Sequence, residues 1–283
     1  MAAPRHRLVY LLSFPGLDAP LVALGWAALL SRERSGEIVG AAPMSLFLAV
    51  WSIYLADRLF DAYRLRSHSA IPPRHRFARR RWRGLAALML LLVALLLFRI
   101  APRLEPATLV VGAILSLLTA AYFLCFRFIS FRKRKSGSFP VPLKEITIGL
   151  CFSAGVIVGS GAKEVSTEIL ILGTGLAALF TTNCLVIALA EAEFDRANDP
   201  ASHFAARRAA FSSAWLLVVP ALCAPWLVFQ TPFVLVGTST LAATALTFFI
   251  SKRTARYADL TQPLADAVLL VPWLALAFDF ARA

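Results

Sequence analysis

The sequence predicts an all-α, polytopic membrane protein, a single domain over residues 1–283 built of nine transmembrane helices. Three observations predict it. Hydrophobic residues make up 59% of the chain and the mean hydropathy is +0.72, against about 45–50% apolar residues in soluble domains. The excess is gathered into long runs such as Leu85–Phe98 and Leu216–Phe229. Charged residues are only 16% of the chain, yet the net charge is +13, and the basic side chains collect in alternate connections, as expected of loops beside anionic lipid. That distribution argues against a nucleic-acid-binding protein, because no soluble module separates from the runs to carry a basic face.

The nine segments run near Leu8–Leu30, Pro43–Tyr63, Leu85–Ile100, Pro106–Cys125, Leu143–Ser160, Ile169–Ala190, Ala214–Phe229, Pro232–Ile250 and Leu264–Phe280. The first follows Arg5 and Arg7, and its apolar start, Leu8–Leu12, is interrupted by Pro15, Gly16 and Asp18. No small-x-small cleavage site follows, so it reads as an uncleaved helix rather than a signal peptide. The third and seventh are short and must borrow flanking residues or meet a thinned bilayer. Cys125, Cys151, Cys184 and Cys223 all fall in these segments without a CxxC pair and read as small buried hydrophobes. His6, His68, His75 and His203 show no zinc-binding spacing.

Basic residues fix the expected orientation. One side holds Arg5 and Arg7, the run from Arg64 to Arg83, Arg127 with Arg132–Lys135, Arg196 with Arg207 and Arg208, and Lys252, Arg253 and Arg256. The other holds Arg32, Arg34, Arg99, Arg103, Lys163 and Arg282. The positive-inside rule then places the N-terminus in the cytoplasm and the C-terminus outside, in a bacterial inner membrane. Segments two to five and six to nine read as two quartets, each followed after its first helix by a similar linker, His75–Arg80 and His203–Arg208. Duplication and chance similarity between short basic linkers both account for the match.

The chemistry concentrates at two helix ends on the expected cytoplasmic side. Asp57 and Asp61 close the second segment four residues apart, so one helical face carries both carboxylates. Glu191 and Asp195 repeat that spacing at the end of the sixth. Carboxylates facing each other at such ends can hold Mg²⁺, which commonly binds a few carboxylates together with substrate phosphates. Arg58 and Arg196 inside the motifs, and Arg64, Arg79, Arg80, Arg207 and Arg208 in the loops, supply nearby positive charge for a departing diphosphate. A solvated helix end with local salt bridges is the bland alternative, weakened by the presence of two such motifs in register.

Nine helices, two acidic motifs and basic cytoplasmic loops resemble the UbiA-type membrane prenyltransferase superfamily. The family's first motif, Asn-Asp-x-x-Asp-x-x-x-Asp, falls on Ile53–Asp61, with Ile53 and Tyr54 in place of the leading Asn and Asp. Its second, Asp-x-x-x-Asp followed by a basic residue, falls on Glu191–Asp195 and Arg196. The resemblance implies a Mg²⁺-dependent transferase that moves a prenyl group from a polyprenyl diphosphate to an aromatic or lipid acceptor in the membrane. It makes Asp57, Asp61, Glu191 and Asp195 the catalytic metal–diphosphate ligands, with Arg58 and Arg196 neutralising phosphate. Lys133 and Arg134 stand where relatives carry a phosphate-contacting basic pair, and a solvated loop explains them equally.

Other polar residues have two readings each. Asn183 lines an acceptor pocket or hydrogen-bonds a neighbouring helix. Lys144 and Glu145 pair at the interface. Asp266 completes the site or caps a helix after Pro263. Two further functions compete with the transferase: a non-catalytic isoprenoid- or lipid-binding protein of the same fold, and a transporter, which would place its charges at mid-membrane instead of at one face.

Overall fold

The computed structural model of the chain describes residues 15–38, 40–64, 73–132, 142–162, 164, 166–192, 216–230, 232–253 and 258–282. Among them the chain is helical, with no strand. The helices are α1 (Asp18–Ser35), α2 (Ala41–Arg64), α3 (Pro73–Arg80), α4 (Trp82–Leu95), α5 (Pro106–Arg132), α6 (Leu143–Gly159), α7 (Thr167–Ala190), α8 (Val218–Gln230), α9 (Val234–Arg253), α10 (Ala258–Val268) and α11 (Val271–Phe280).

Five stretches are long and apolar enough to cross a membrane: Ala41–Tyr63, Trp82–Arg103, Thr167–Ala190, Val234–Lys252 and Leu260–Phe280. The nine-span expectation is therefore met in part. The short third segment does borrow its flanks: α4 continues through a π turn at Leu96–Ile100 and a 3₁₀ turn at Ala101–Arg103. Pro106–Tyr122 and Val218–Phe229 are apolar but shorter. α6 is brief at 17 residues, and the last turn of α1 is charged.

Buried side chains of α1 and α7 dominate the main core. Trp26, Leu29 and Leu30 share this core with Leu172, Leu176, Leu179 and Phe180, and Trp26 and Phe152 are both edge-on to Phe180 at 6.2 and 4.7 Å between centroids. α6 and α7 are antiparallel and pack backbone to backbone. Gly149 leaves no room for a side chain against Ala177 and Thr181, and Ser153 Oγ donates to the Gly173 carbonyl at 2.7 Å. Small residues permit this approach, which in an apolar solvent replaces the hydrophobic drive for helix association. A second cluster, Leu48, Leu55, Ala62, Ala78, Leu85 and Leu92, joins α2, α3 and α4.

The ninth segment is continuous in sequence but broken in space. Between α10 and α11 the hydrogen bonds tighten to the third residue back, Leu269 to Asp266 and Leu270 to Ala267. Pro272 then lacks the N–H that would continue an α-helix. The Leu269 carbonyl accepts instead from Trp26 Nε1 at 3.0 Å. Trp273 Nε1 donates to the Leu21 carbonyl at 2.9 Å, over the bare Cα of Gly25.

The last turn of α1 works as a clamp on three helix ends. Glu33 accepts from the Leu235 and Val236 amides at the start of α9. Arg34 Nη1 donates to the Ser160 carbonyl after α6 at 3.3 Å, and Arg32 Nε pairs with Asp279 near the end of α11 at 2.8 Å. An acid at a helix N-terminus and cations at C-terminal ends each complement the helix dipole.

Candidate functional site

Asp57 and Asp61 lie one turn apart near the end of α2, both partly buried, as the four-residue spacing dictates. Between them in sequence, Arg58 turns inward and is 4% exposed. Its Nη2 donates to Tyr54 Oη at 3.0 Å, and its guanidinium lies 4.7 Å from the centre of the Tyr54 ring. Its Nη1 is buried with no hydrogen-bond partner. A buried cationic donor left unmatched costs about 1–3 kcal/mol or more, so this atom is poised for an anion.

The Tyr54 ring is itself fixed from the other side. Gly16, at φ +71°, brings its Cα so close that a side chain there would stand 2.8 Å from Tyr54 Cδ1. One turn earlier, Trp51 Nε1 donates to the Pro15 carbonyl at 3.0 Å. A phenol stacks on Arg58 and hydrogen-bonds it but does not cancel its charge.

Helix register sets the depth of the second motif. Leu46 packs on Gly155 and Gly159, so α2 and α6 are antiparallel, as are α6 and α7 at Gly149 and Thr181. Counting about 1.5 Å per residue from those contacts, Asp61 is level with the start of α6 and Glu191 lies nearly two turns beyond that level. Both acidic ends therefore reach one face of the bundle, with α6 packed on both helices. Glu191 is partly buried at the C-cap of α7. Asp195, Arg196, Lys133 and Arg134 lie outside the described residues, as does the Arg64 side chain.

Among the described residues no three His, Cys, Asp or Glu side chains gather to hold a metal ion, and Asp57, Asp61 and Glu191 form no such group. As a donor set, the Asp57–Asp61 pair suits Mg²⁺, which takes one or two carboxylates and fills its remaining positions with water and substrate phosphate.

A second polar group sits deeper in the bundle. Asn183 Nδ2 donates to Asp266 Oδ1 at 3.2 Å and Gln262 Nε2 to Asp266 Oδ2 at 3.3 Å. Asp266 thus joins α7 to α10 one turn before the helix break, in place of a cap after Pro263. Asn183 is 5% exposed and its Oδ1 has no hydrogen-bond partner; a flipped amide would set oxygen against carboxylate, so the orientation is fixed. Glu145, at the start of α6, is 2% exposed. Lys144 is tied to α5 through its carbonyl, which accepts from Tyr122 Oη at 3.0 Å. Of these contacts, the Asn183–Asp266 link has no local sequence signal, because the partners are 83 positions apart.

Compared with known proteins, the chain matches no family model, no curated protein and no solved structure.

Proposed function

We propose that the protein is an integral-membrane, Mg²⁺-dependent prenyltransferase of the UbiA type, arranged in nine spans. It moves a prenyl group from a polyprenyl diphosphate to a hydrophobic acceptor. The observation that carries the reading is the buried, partly unmatched Arg58 guanidinium on the same helix end as Asp57 and Asp61. Carboxylates alone would repel a diphosphate; an inward arginine on the same turn, in a low-dielectric surround, attracts it. Asp57, Asp61, Glu191 and Asp195 would hold Mg²⁺, which when bound supplies positive charge to the leaving diphosphate. Arg58 binds a phosphate oxygen through Nη1 and stays oriented by Tyr54. Arg64, Lys133, Arg134 and Arg196 would add positive charge for the diphosphate. The apolar faces of the long helices accommodate the hydrocarbon tail, and Asn183 offers its carbonyl oxygen to a donor on the acceptor.

A second reading, a non-catalytic isoprenoid-binding protein, draws support from Tyr54, which replaces a motif carboxylate and stacks on Arg58. One experiment separates the two. The purified chain is given geranylgeranyl diphosphate, Mg²⁺ and a panel of aromatic and lipid acceptors, and diphosphate release is followed. Release with acceptor consumption is the result expected of the transferase. Mg²⁺-dependent binding without release assigns the binding protein, and absence of both contradicts the site.

A further inference from the structure

α3 and the start of α4 form a basic surface. Arg76, Arg79, Arg80, Arg81 and Arg83 are all exposed. Residues 62–104 contain no Asp or Glu, so no acid within this stretch offsets them. The helix is nonetheless anchored. Ala78 is buried and Phe77 packs beside it against Leu55, Leu59 and Ala62 of α2, which turns the arginines outward.

The patch heads a lipid-facing span. Directly after it, Leu90, Leu91, Leu97 and Phe98 are exposed along Trp82–Arg103, the stretch long enough to cross a bilayer. At the junction Trp82 is 53% exposed and the Arg83 guanidinium lies 5.4 Å from its ring centre. A half-exposed tryptophan between arginines and an apolar span marks the polar boundary of the membrane. The arginines are then held at headgroup level, where guanidinium forks match phosphate oxygens in pairs.

We propose that α3 and the first turn of α4 are a docking surface for anionic phospholipid, with the headgroup phosphate on Arg79, Arg80 and Arg83 and the acyl chains along the exposed leucines of α4. Because Ala78 and Phe77 seat on the acidic turn of α2, the bound lipid fixes the end of the helix that carries Asp61. The inference stands apart from the transferase reading, and its test uses no prenyl diphosphate.

The full chain, purified in dodecyl maltoside, is titrated with phosphatidylglycerol, with phosphatidylcholine as the neutral arm and inorganic phosphate as the soluble-anion arm. Retained lipid is counted by native mass spectrometry. Phosphatidylglycerol is retained over phosphatidylcholine, and the preference falls by about fivefold for each arginine replaced, or about a hundredfold in Arg79→Gln/Arg80→Gln/Arg83→Gln. These side chains are exposed, so the variant keeps the parent's melting behaviour without lipid. Equal retention of the two lipids overturns the proposal. So does a triple variant that keeps the preference, or inorganic phosphate that displaces the lipid at equal concentration.

Discussion

Gly149→Ala probes the contact on which the bundle's register rests. The added methyl would stand 2.6 Å from the Ala177 carbonyl oxygen and 2.8 Å from the Thr181 amide nitrogen, and closer still to Thr181 Oγ1. Ordinary contact needs about 3.5 Å or more, so α6 and α7 must part by about 1 Å. One turn along, the 2.7 Å bond from Ser153 to the Gly173 carbonyl would stretch to about 3.7 Å, beyond hydrogen-bonding distance. Overpacking costs about 1–3 kcal/mol, and the lost bond about 0.5–1.5 kcal/mol. The expected destabilisation is thus roughly 1.5–4.5 kcal/mol, read from unfolding in mixed micelles. Adding Thr181→Ala restores only part of it, since Ala177 O and Thr181 N are backbone atoms. Gly84→Ala, where nothing lies within 4 Å, serves as the control and should be neutral or stabilising by up to about 1 kcal/mol. A Gly149→Ala chain that unfolds with the parent would refute the register, and with it the placing of both acidic ends at one face.

Asp61→Asn keeps shape while removing charge, so it should express like the parent but lose turnover by on the order of a hundredfold or more; Asp195→Asn should match it, and Glu193→Gln should stay near the parent in the same assay. Cysteine introduced at Ser67 or Ser138 should be labelled only from the cytoplasm, and labelling of either from outside would reverse the orientation. Glu33 lies beyond the apolar segment Leu8–Leu30, where burial pushes its carboxyl above the ordinary 4.5, against the pull of the Val236 and Leu235 amides and with the Asp279 charge adding to the rise. A raised folded value means its contribution to stability is full below the ordinary value and is lost as pH rises through the folded one. The melting temperature of the parent relative to Glu33→Gln should therefore fall as pH increases from about 4.5; a difference independent of pH would contradict this.

The apolar runs and the four-residue carboxylate spacings were legible because each depends on near neighbours in the chain. Helical periodicity alone puts Asp57 and Asp61 on one face. What could not be read was direction and distant partnership. Nothing in the sequence near Tyr54 signals its role; the structure makes it the stacking partner of the inward Arg58. Arg32 and Arg34 read as charges on the outer side, yet with Glu33 they bind the ends of α11, α6 and α9 across more than a hundred positions. Asn183 admitted two readings, and its amide does bond a neighbouring helix, at Asp266. The break in the ninth segment depends on Trp26 as much as on Pro272, and nothing local to residues 264–280 signals the tryptophan.

The central claim is that the acidic end of α2, with Arg58, binds a prenyl diphosphate through Mg²⁺. Equilibrium binding of geranylgeranyl diphosphate to the purified chain, with Mg²⁺ or with a chelator, tests it most directly, alongside Arg58→Met. The account predicts saturable binding in Mg²⁺, its loss in chelator, and an affinity about ten- to a hundredfold weaker in the variant, the worth of one charge-assisted hydrogen bond. Binding that ignores both the metal and the arginine, or no binding at all, would contradict it.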